Sequence, residues 1–598
     1  MINFEKMLYN AVQQSIKELY GKEVEQGIQI QKTKKEFVGD FTVVVFPLLR
    51  FSHKSPEDTA RELGEQILKT LPEAAGFNVI KGFLNIELSV ASWLNFFREI
   101  LPNEKFGLQS PDKRSKKIVI EFSSPNTNKP LHLGHIRNNL LGWSVAQILE
   151  ACGHEVVRVN LVNDRGIHIC KSMLAWQKES EGATPESASL KGDHFVGNYY
   201  VAFDKAYKKQ VATLQADGMS EKEAKEQAPW MQEARQMLKK WENNDAQVRA
   251  LWKKMNAWVY EGFEETYRQL GITFDKTYYE SETYLRGKSI IEKAYANGLL
   301  AQKEDGSIFI DLTSEGLDEK ILLRSDGTAL YMTQDIGTAL IRYEDYSFDE
   351  SVYVVGNEQD YHFKVLKIVL EKLGYPWASA ISHLSYGMVE LPDGKMKSRE
   401  GTVVDADDLI AEMILTAREK AEELGKLDEF SEEEKEEIYR KVALGALKYF
   451  ILKPDAKKNM TFHPHESIDF NGNTGPFIQY TYVRILSMLQ RAEYLPNQQE
   501  ISPEAVSTLS TEDLSLLHKI YDFPEAVQEA GERRTPSVLA NYVYDLAKDY
   551  NRFYHEIPPL LKEKDEVLKL FRLSLSQKTA EIIKNAMHLL GIEMPEKM

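Results

Sequence analysis

Residues 116–153 read KKIVIEFSSPNTNKPLHLGHIRNNLLGWSVAQILEACG. The β-branched apolar run from Lys117 to Phe122 predicts a strand. A polar loop follows, and H-L-G-H opens a long helical pattern from Leu133 to Ala151, with Gly153 as its stop. Glu155 to Leu161 predicts a second strand and completes a βαβ unit of parallel sheet. Open α/β sheets bind nucleotides at such strand-to-helix junctions, because backbone N–H groups at the helix start face the anion. His132 and His135 can donate hydrogen bonds to triphosphate oxygens there. Gly134 has no side chain, so a base can lie close on the backbone.

Ser123, Ser124, Pro125, Asn126, Lys129, Pro130, His132, Gly134, His135 and Arg137 spell S-S-P-N-x-x-K-P-L-H-x-G-H-x-R. This resembles the nucleotide-binding motif of class I aminoacyl-tRNA synthetases, and within that class the arginyl family. The resemblance extends over essentially the whole chain. It implies a multidomain α/β plus α fold: a Rossmann-like parallel-sheet catalytic domain with a helical insertion, a small N-terminal α+β domain and a C-terminal α-helical anticodon-binding domain.

Composition is consistent with that. A chain of 598 residues calls for several domains. No apolar run approaches a membrane span, and MINFEKMLYNAVQQSIKELYG is amphipathic like a first helix rather than a signal peptide, so cytoplasm is the expected location. Two cysteines, Cys152 and Cys170, are too few for a four-ligand zinc site, so no zinc is expected and both read as buried free thiols. A net charge of −17 argues against broad nucleic-acid binding and leaves only local basic patches for an RNA partner. Candidates are Lys32, Lys34 and Lys35; Lys113, Arg114, Lys116 and Lys117; and Lys453, Lys457 and Lys458.

The organisation expected along the chain starts with an N-terminal unit at 1–110. G-D-F at 39–41 and K-G-F-L-N-I at 81–86 are similar to the arginyl family's tRNA-elbow-binding domain. The catalytic domain is expected at 111–405, with a charged helical insertion at 171–270. A connecting helical region at 406–470 leads to an anticodon-binding domain at 471–598, with helices near 480–494, 512–530, 536–554 and 575–590. There Tyr542, Tyr544, Tyr550, Arg552, Phe553 and Tyr554 are candidates for stacking on unpaired bases.

Activating an amino acid joins its carboxylate to the α-phosphate of ATP and expels pyrophosphate. The protein needs alignment and charge stabilisation more than a nucleophile. LPDGKMKSREGTVV at 391–404 reads as a loop with Gly394 and Gly401 as hinges and Lys395, Lys397 and Arg399 as phosphate-reaching cations. It looks like the class I K-M-S-K-S loop and departs from it. After Lys395 and Met396 come Lys397 and Ser398, so the usual second lysine is missing. The arginyl family's compensation is a lysine just upstream of the tetrad, which matches Lys129. The resemblance assigns catalysis to Lys129, His132, His135 and Lys395. It assigns ATP binding to His132, Gly134, His135, Lys395, Met396, Lys397 and Ser398.

A guanidinium substrate calls for carboxylates and carbonyls. SDGTALYMTQDIG at 325–337 places Tyr331 and Asp335 four apart, on one face of a predicted helix. The family's arginine pocket has a matching Tyr and Asp, with Ser124, Asn126, His135 and Gln359 as its other members. Glu121 is a further candidate negative charge. The partners implied are tRNA(Arg), L-arginine and ATP with Mg²⁺, with no membrane and a monomeric state. A site that pairs a charged side chain rejects analogues strongly, so no editing domain is demanded.

The sequence also allows a small-molecule nucleotidyltransferase, which can carry H-x-G-H on this fold but has no use for the two outer domains. A non-catalytic RNA-binding relative would have lost Lys129, His132, His135 or Lys395. A cysteinyl enzyme would need zinc ligands that two cysteines cannot supply.

Overall fold

The computed structural model describes residues 2–34, 36–392, 404–424, 429–494, 509–557 and 559–598. The chain packs as two units. One combines Met1–Gly107 with Arg484–Pro524 and Asp545–Ile583, and the other combines Leu108–Val483 with Glu525–Tyr544 and Lys584–Met598. The C-terminal helices are thus divided between the two units. Helix Thr511–Arg533 carries Pro524 in its interior, and the division between units falls there.

The first unit holds a four-stranded antiparallel sheet in the order Gln29–Lys32, Phe41–Val44, Phe83–Leu88, Ala74–Ile80. Its N-terminal helix Phe4–Tyr20 is capped by Asn3, and helix Pro56–Thr70 by Ser55, each side chain accepting a backbone N–H of the first turn. Phe4, Trp93 and Phe96 pack around the Tyr521 ring at centroid distances of 5.3, 5.8 and 5.1 Å. The N-terminal core is therefore completed by a residue from the C-terminal part of the chain, Tyr521. Of the aromatic stripe read as a base-stacking surface, Tyr550 and Phe553 lie fully in the core of this unit, and Tyr550 donates to Ser576 Oγ at 3.1 Å. Tyr554 and Arg552 face outward. In the other unit, Tyr542 is also buried. A helix in a bundle buries its apolar stripe against neighbours, and that use claimed most of these rings.

The second unit is built on a five-stranded, all-parallel sheet. Its order is Ile381–Tyr386, Glu350–Gly356, Lys117–Glu121, Glu155–Val162, Lys276–Tyr279. From Lys117–Glu121 the chain crosses to one side through helix Leu133–Ala151. The later strand Glu350–Gly356 adds on the other side. The order therefore reverses at the central strand, and the crevice there is the expected ligand site. Helices Ile167–Glu179, Gly192–Ala216, Pro229–Glu242 and Ala246–Leu270 lie in sequence between the strands Glu155–Val162 and Lys276–Tyr279. An antiparallel sheet of Ala301–Gln302, Ile308–Ile310 and Lys320–Leu323 was not foreseen. The helix expected near 480–494 begins earlier, as Gly475–Arg491, with Pro476 in its first turn, where a missing N–H costs nothing. Cys152 and Cys170 are free thiols, and burial pushes them up to about 11 and about 12. No described helix is long and apolar enough to cross a membrane.

Candidate active site

The loop after the central strand turns sharply. Ser123 and Ser124 have φ of 73° and 47°, a conformation costing a non-glycine residue roughly 1–2 kcal/mol. Neighbouring polar groups hold it. The Ser123 N–H donates to Asn138 Oδ1 at 2.5 Å and the Ser124 N–H to Asn160 Oδ1 at 3.0 Å. Asn138 in turn donates to the Val354 carbonyl at 2.6 Å, tying the loop to the adjacent strand. Ser123 Oγ lies 2.7 Å from the Tyr267 hydroxyl.

His132 is the N-cap of the tetrad helix, and His135 sits in its first turn. The Gly134 N–H donates to His132 Nδ1 at 3.1 Å, and the His132 N–H donates to His135 Nδ1 at 3.2 Å. Both Nδ1 atoms are therefore acceptors. This fixes each neutral ring as the Nε2–H tautomer, with one donor left for a ligand. Burial, with Lys129 adding, lowers His132 to about 4; burial, His132 and Lys129 hold His135 well below the usual imidazole range. The pair is neutral at physiological pH. A Cβ at Gly134 would stand 3.0 Å from His132 Cε1, so the glycine also leaves room for its neighbour's ring. The Lys129 ammonium is itself lowered by burial.

Segments on either side of residues 393–403 are anchored to the tetrad helix. The Leu133 N–H donates to the Val404 carbonyl at 2.9 Å and the Ala406 N–H to the Leu131 carbonyl at 3.0 Å. Arg137, fully buried, donates to the carbonyls of Met388, Ala456 and Lys458 at 2.8, 2.9 and 2.8 Å. Lys395, Met396, Lys397, Ser398 and Arg399, with hinges Gly394 and Gly401, lie outside the described residues. Just beyond, Asp407 receives His194 Nε2 at 2.9 Å, Lys191 Nζ at 2.6 Å and Thr266 Oγ1 at 2.9 Å, joining the insertion to this junction. Asp193, His194 and Asp407 have metal-ligand spacing. However, the Lys191 ammonium stands 3.3 Å from Asp193 and 2.6 Å from Asp407, so these carboxylates already hold their cation.

On the amino-acid side, Asp335 lies on helix Tyr331–Tyr346 and accepts His362 Nε2 at 2.6 Å. Tyr331 opens that helix, 72% exposed. Asn126 and Gln359 are also exposed, and Ser124 is half-buried. Glu121 does not offer an unpaired charge. Its carboxylate forms an ion pair with fully buried Arg342 and accepts Ser124 Oγ at 2.8 Å. A carboxylate at the end of a buried strand needs a cation, and the protein supplies one of its own.

The residue that sequence reading missed is Glu280. It begins helix Glu280–Ala296 directly after strand Lys276–Tyr279, at the carboxyl edge of the sheet. Burial pushes it up to about 7; Arg165 opposes, and Asp164 and Asp335 add to the rise. Its helix and the Asp335 helix cross closely. A Cβ on Gly287 would meet the Thr333 carbonyl oxygen at 1.9 Å, and one on Gly337 the Gly287 nitrogen at 2.5 Å. Asp164, 1% exposed, accepts Tyr260 Oη at 3.0 Å and the Ser281 hydroxyl at 2.7 Å, and Arg165 stacks on Tyr284 at 3.8 Å. The signal available was position. N-D-R at 163–165 and E-S at 280–281 each follow a parallel strand, but the second strand has four residues at the end of a helical insertion.

A pair of neutral imidazole donors on one side of the switch point and a set of buried carboxylates on the other suit a triphosphate and a cationic substrate. Comparison with known proteins agrees. The chain matches the family models for class I (R) tRNA synthetase catalytic domains over residues 97–463, the DALR anticodon-binding domain over 478–598 and the arginyl-tRNA synthetase N-terminal domain over 6–88. It is 57% identical over 602 residues to an arginine–tRNA ligase of Bacteroides fragilis, all of both chains being covered. It is 52% identical over 608 residues to one of Flavobacterium psychrophilum, again over the whole of both. Among solved structures, it superposes on the arginyl-tRNA synthetase of Thermus thermophilus with a TM-score of 0.77, 27% identity, and 99% and 100% of the two chains covered. The three consecutive family matches, the full-length relatives and the parallel-sheet site together establish that the chain belongs to the class I arginyl-tRNA synthetases.

Proposed function

We infer that the chain is an arginine–tRNA ligase. It joins L-arginine to the α-phosphate of ATP, releasing pyrophosphate, and transfers the arginyl group to tRNA(Arg), releasing AMP. The observation that carries the arginine-specific reading is the acidic set around Asp335, with Glu280 and Asp164 beside it. A guanidinium suits such an acidic set, because its planar fork of donors pairs with carboxylates.

In this reading His132 and His135 donate through Nε2–H to phosphate oxygens. These are fixed dipoles, present before charge develops and needing no proton transfer. Lys129, near enough to lower both imidazoles, supplies the cation that the 395–398 stretch lacks. Lys395, Met396, Lys397 and Ser398 complete the ATP site with Gly134. Asp335 and Glu280 take the guanidinium, with Tyr331 closing over it. Ser124, Asn126, His135 and Gln359 hold the α-amino and carboxylate ends. Mg²⁺ enters with ATP as part of the substrate. The enzyme works as a cytoplasmic monomer.

The test is aminoacylation of total tRNA with each of the twenty amino acids in turn. Charging is expected with arginine alone, and charging with a different amino acid would refute the assignment.

A further inference from the structure

Beside the arginine pocket lies an open cavity of about 480 Å³ that no part of the reaction above uses. Its walls come from three chain segments: the turn at Asn357–Asp360, helix Asp360–Lys372 and strand Ile381–Tyr386, with Lys457 reaching in from a loop. Among the described residues that line it, three are lysines, Lys364, Lys367 and Lys457, and one is acidic, Asp360, with Glu358 in the same turn also acting on His383. Asp360 Oδ1 lies 3.1 Å from His383 Nδ1. Lys367 Nζ donates to the Ser379 carbonyl at 3.0 Å. Among the described residues Lys364 and Lys457 have no carboxylate in ion-pair distance, and adjacent Lys458 has none either. This contrasts with the rest of a strongly acidic chain, where many lysines are paired.

The cavity is built rather than incidental. Buried Arg137 donates to the carbonyls of Ala456 and Lys458, the residues on either side of Lys457, so the loop that presents this lysine is held from beneath. His383 is held to the neighbouring strand, its Nε2–H donating to the Val355 carbonyl at 2.9 Å. Holding unpaired ammonium groups together costs repulsion, which an anion relieves. The position is informative too. His362, one residue before cavity-lining Phe363, bonds Asp335. The turn that presents Asn357 and Asp360 directly follows strand Glu350–Gly356, so the cavity opens at the carboxyl edge of the parallel sheet, the edge at which the proposed reaction meets the tRNA 3′ end.

We propose that this cavity is a phosphodiester site for the tRNA strand leading to its 3′ end, with Lys364 and Lys457 as the phosphate-binding residues. The proposal rests on the ligase reading and adds a contact to it. Lysines as point charges without base-reading partners contribute affinity and register, not sequence preference.

The test uses the full-length enzyme, with Lys364→Ala, Lys457→Ala, the double change and the double Lys→Arg variant. KM for tRNA, ATP and arginine is measured across a salt series. The double alanine variant should raise KM for tRNA about tenfold at low salt and reduce the salt slope by about 1 to 2, since each lost phosphate contact releases fewer ions. KM for arginine and ATP and the melting temperature should stay unchanged, and the arginine pair should restore tRNA affinity. Unchanged KM for tRNA overturns the site. A rise in KM for ATP instead would make it part of the triphosphate site. Inhibition by inorganic phosphate beyond that of matched sodium chloride, lost in the double variant with KM for tRNA unaffected, would make it a free-phosphate site. Failure of the unaltered enzyme to charge tRNA with arginine sinks the ligase reading; indifference of the variants alone sinks only this contact.

Discussion

The two sides of the crevice use burial in opposite senses. On the side proposed for the triphosphate, desolvation pushes bases toward neutrality: His132 falls to about 4, and Lys129 is lowered. On the side proposed for arginine, desolvation pushes acids toward neutrality: Glu280 rises to about 7, and Asp164 is raised. Each half resists charge until a ligand of the opposite sign arrives. The lesson is that a buried polar site is poised by the same desolvation that makes it costly. The halves differ in one respect. The imidazoles are locked as neutral donors by backbone N–H groups, whereas Glu280 is left near half-protonation and can respond to its ligand.

The largest expected effect falls on the acidic side. Asp335→Asn keeps shape and removes charge, and kcat/KM for arginine should fall about 10³-fold, the scale of a lost buried charge pair, with KM for ATP little changed. Steady-state kinetics decide it, and an unchanged value would shift the specificity role to Glu280 and Asp164.

Next in size is the imidazole pair. His132→Ala or His135→Ala should lower kcat about 10²-fold, as for loss of one fixed donor. Because the donor is a neutral Nε2–H, His→Gln should recover more than His→Ala does. Equal losses in Gln and Ala would mean that the ring acts as a charge or a base, and the contrast between the two sides would collapse.

A smaller effect sharpens the contrast directly. Near pH 7 Glu280 is about half protonated in the free chain, and a guanidinium lowers its pKa. Arginine binding at pH 7 should release about 0.5 proton, falling toward none by pH 9. Calorimetry in buffers of different ionisation enthalpy measures this, and Glu280→Gln should abolish it. Uptake of a proton on binding would contradict the assignment.

The smallest concerns the anchor at Asp407. Burial works against a charged His194, but Asp407, Asp405 and Asp193 outweigh it and raise its pKa above the usual value, with Lys191 as the nearby cation. Its contribution is therefore full below about pH 6.5 and lost as pH rises through the elevated value. His194→Gln should lower the melting temperature by about 2 °C at pH 6 and by less at pH 8.5. A loss that grows with pH would show that the imidazole is bound neutral.

The tetrad, its helix and the parallel strands around it were legible in the chain, because period and local motif report local structure. Helix Leu133–Ala151 runs between the residues expected, and Tyr331 and Asp335 share a helix as their spacing required. The acidic partner Glu280 was not legible, since it reaches Asp335 only through a crossing of helices at Gly287 and Gly337. Nor was the fate of Glu121, because nothing near it in sequence names Arg342.

By itself the sequence determined the family and the strand-to-helix junction that carries the tetrad. Those are runs of adjacent residues whose chemistry survives without knowledge of their neighbours. Only the tertiary structure decided which carboxylate is spent on an internal arginine, which is left for a ligand, and which tautomer each histidine adopts. Those outcomes depend on burial and on partners far apart in the chain. Desolvation has no sequence pattern, and a charge has no fixed meaning until its surroundings are known.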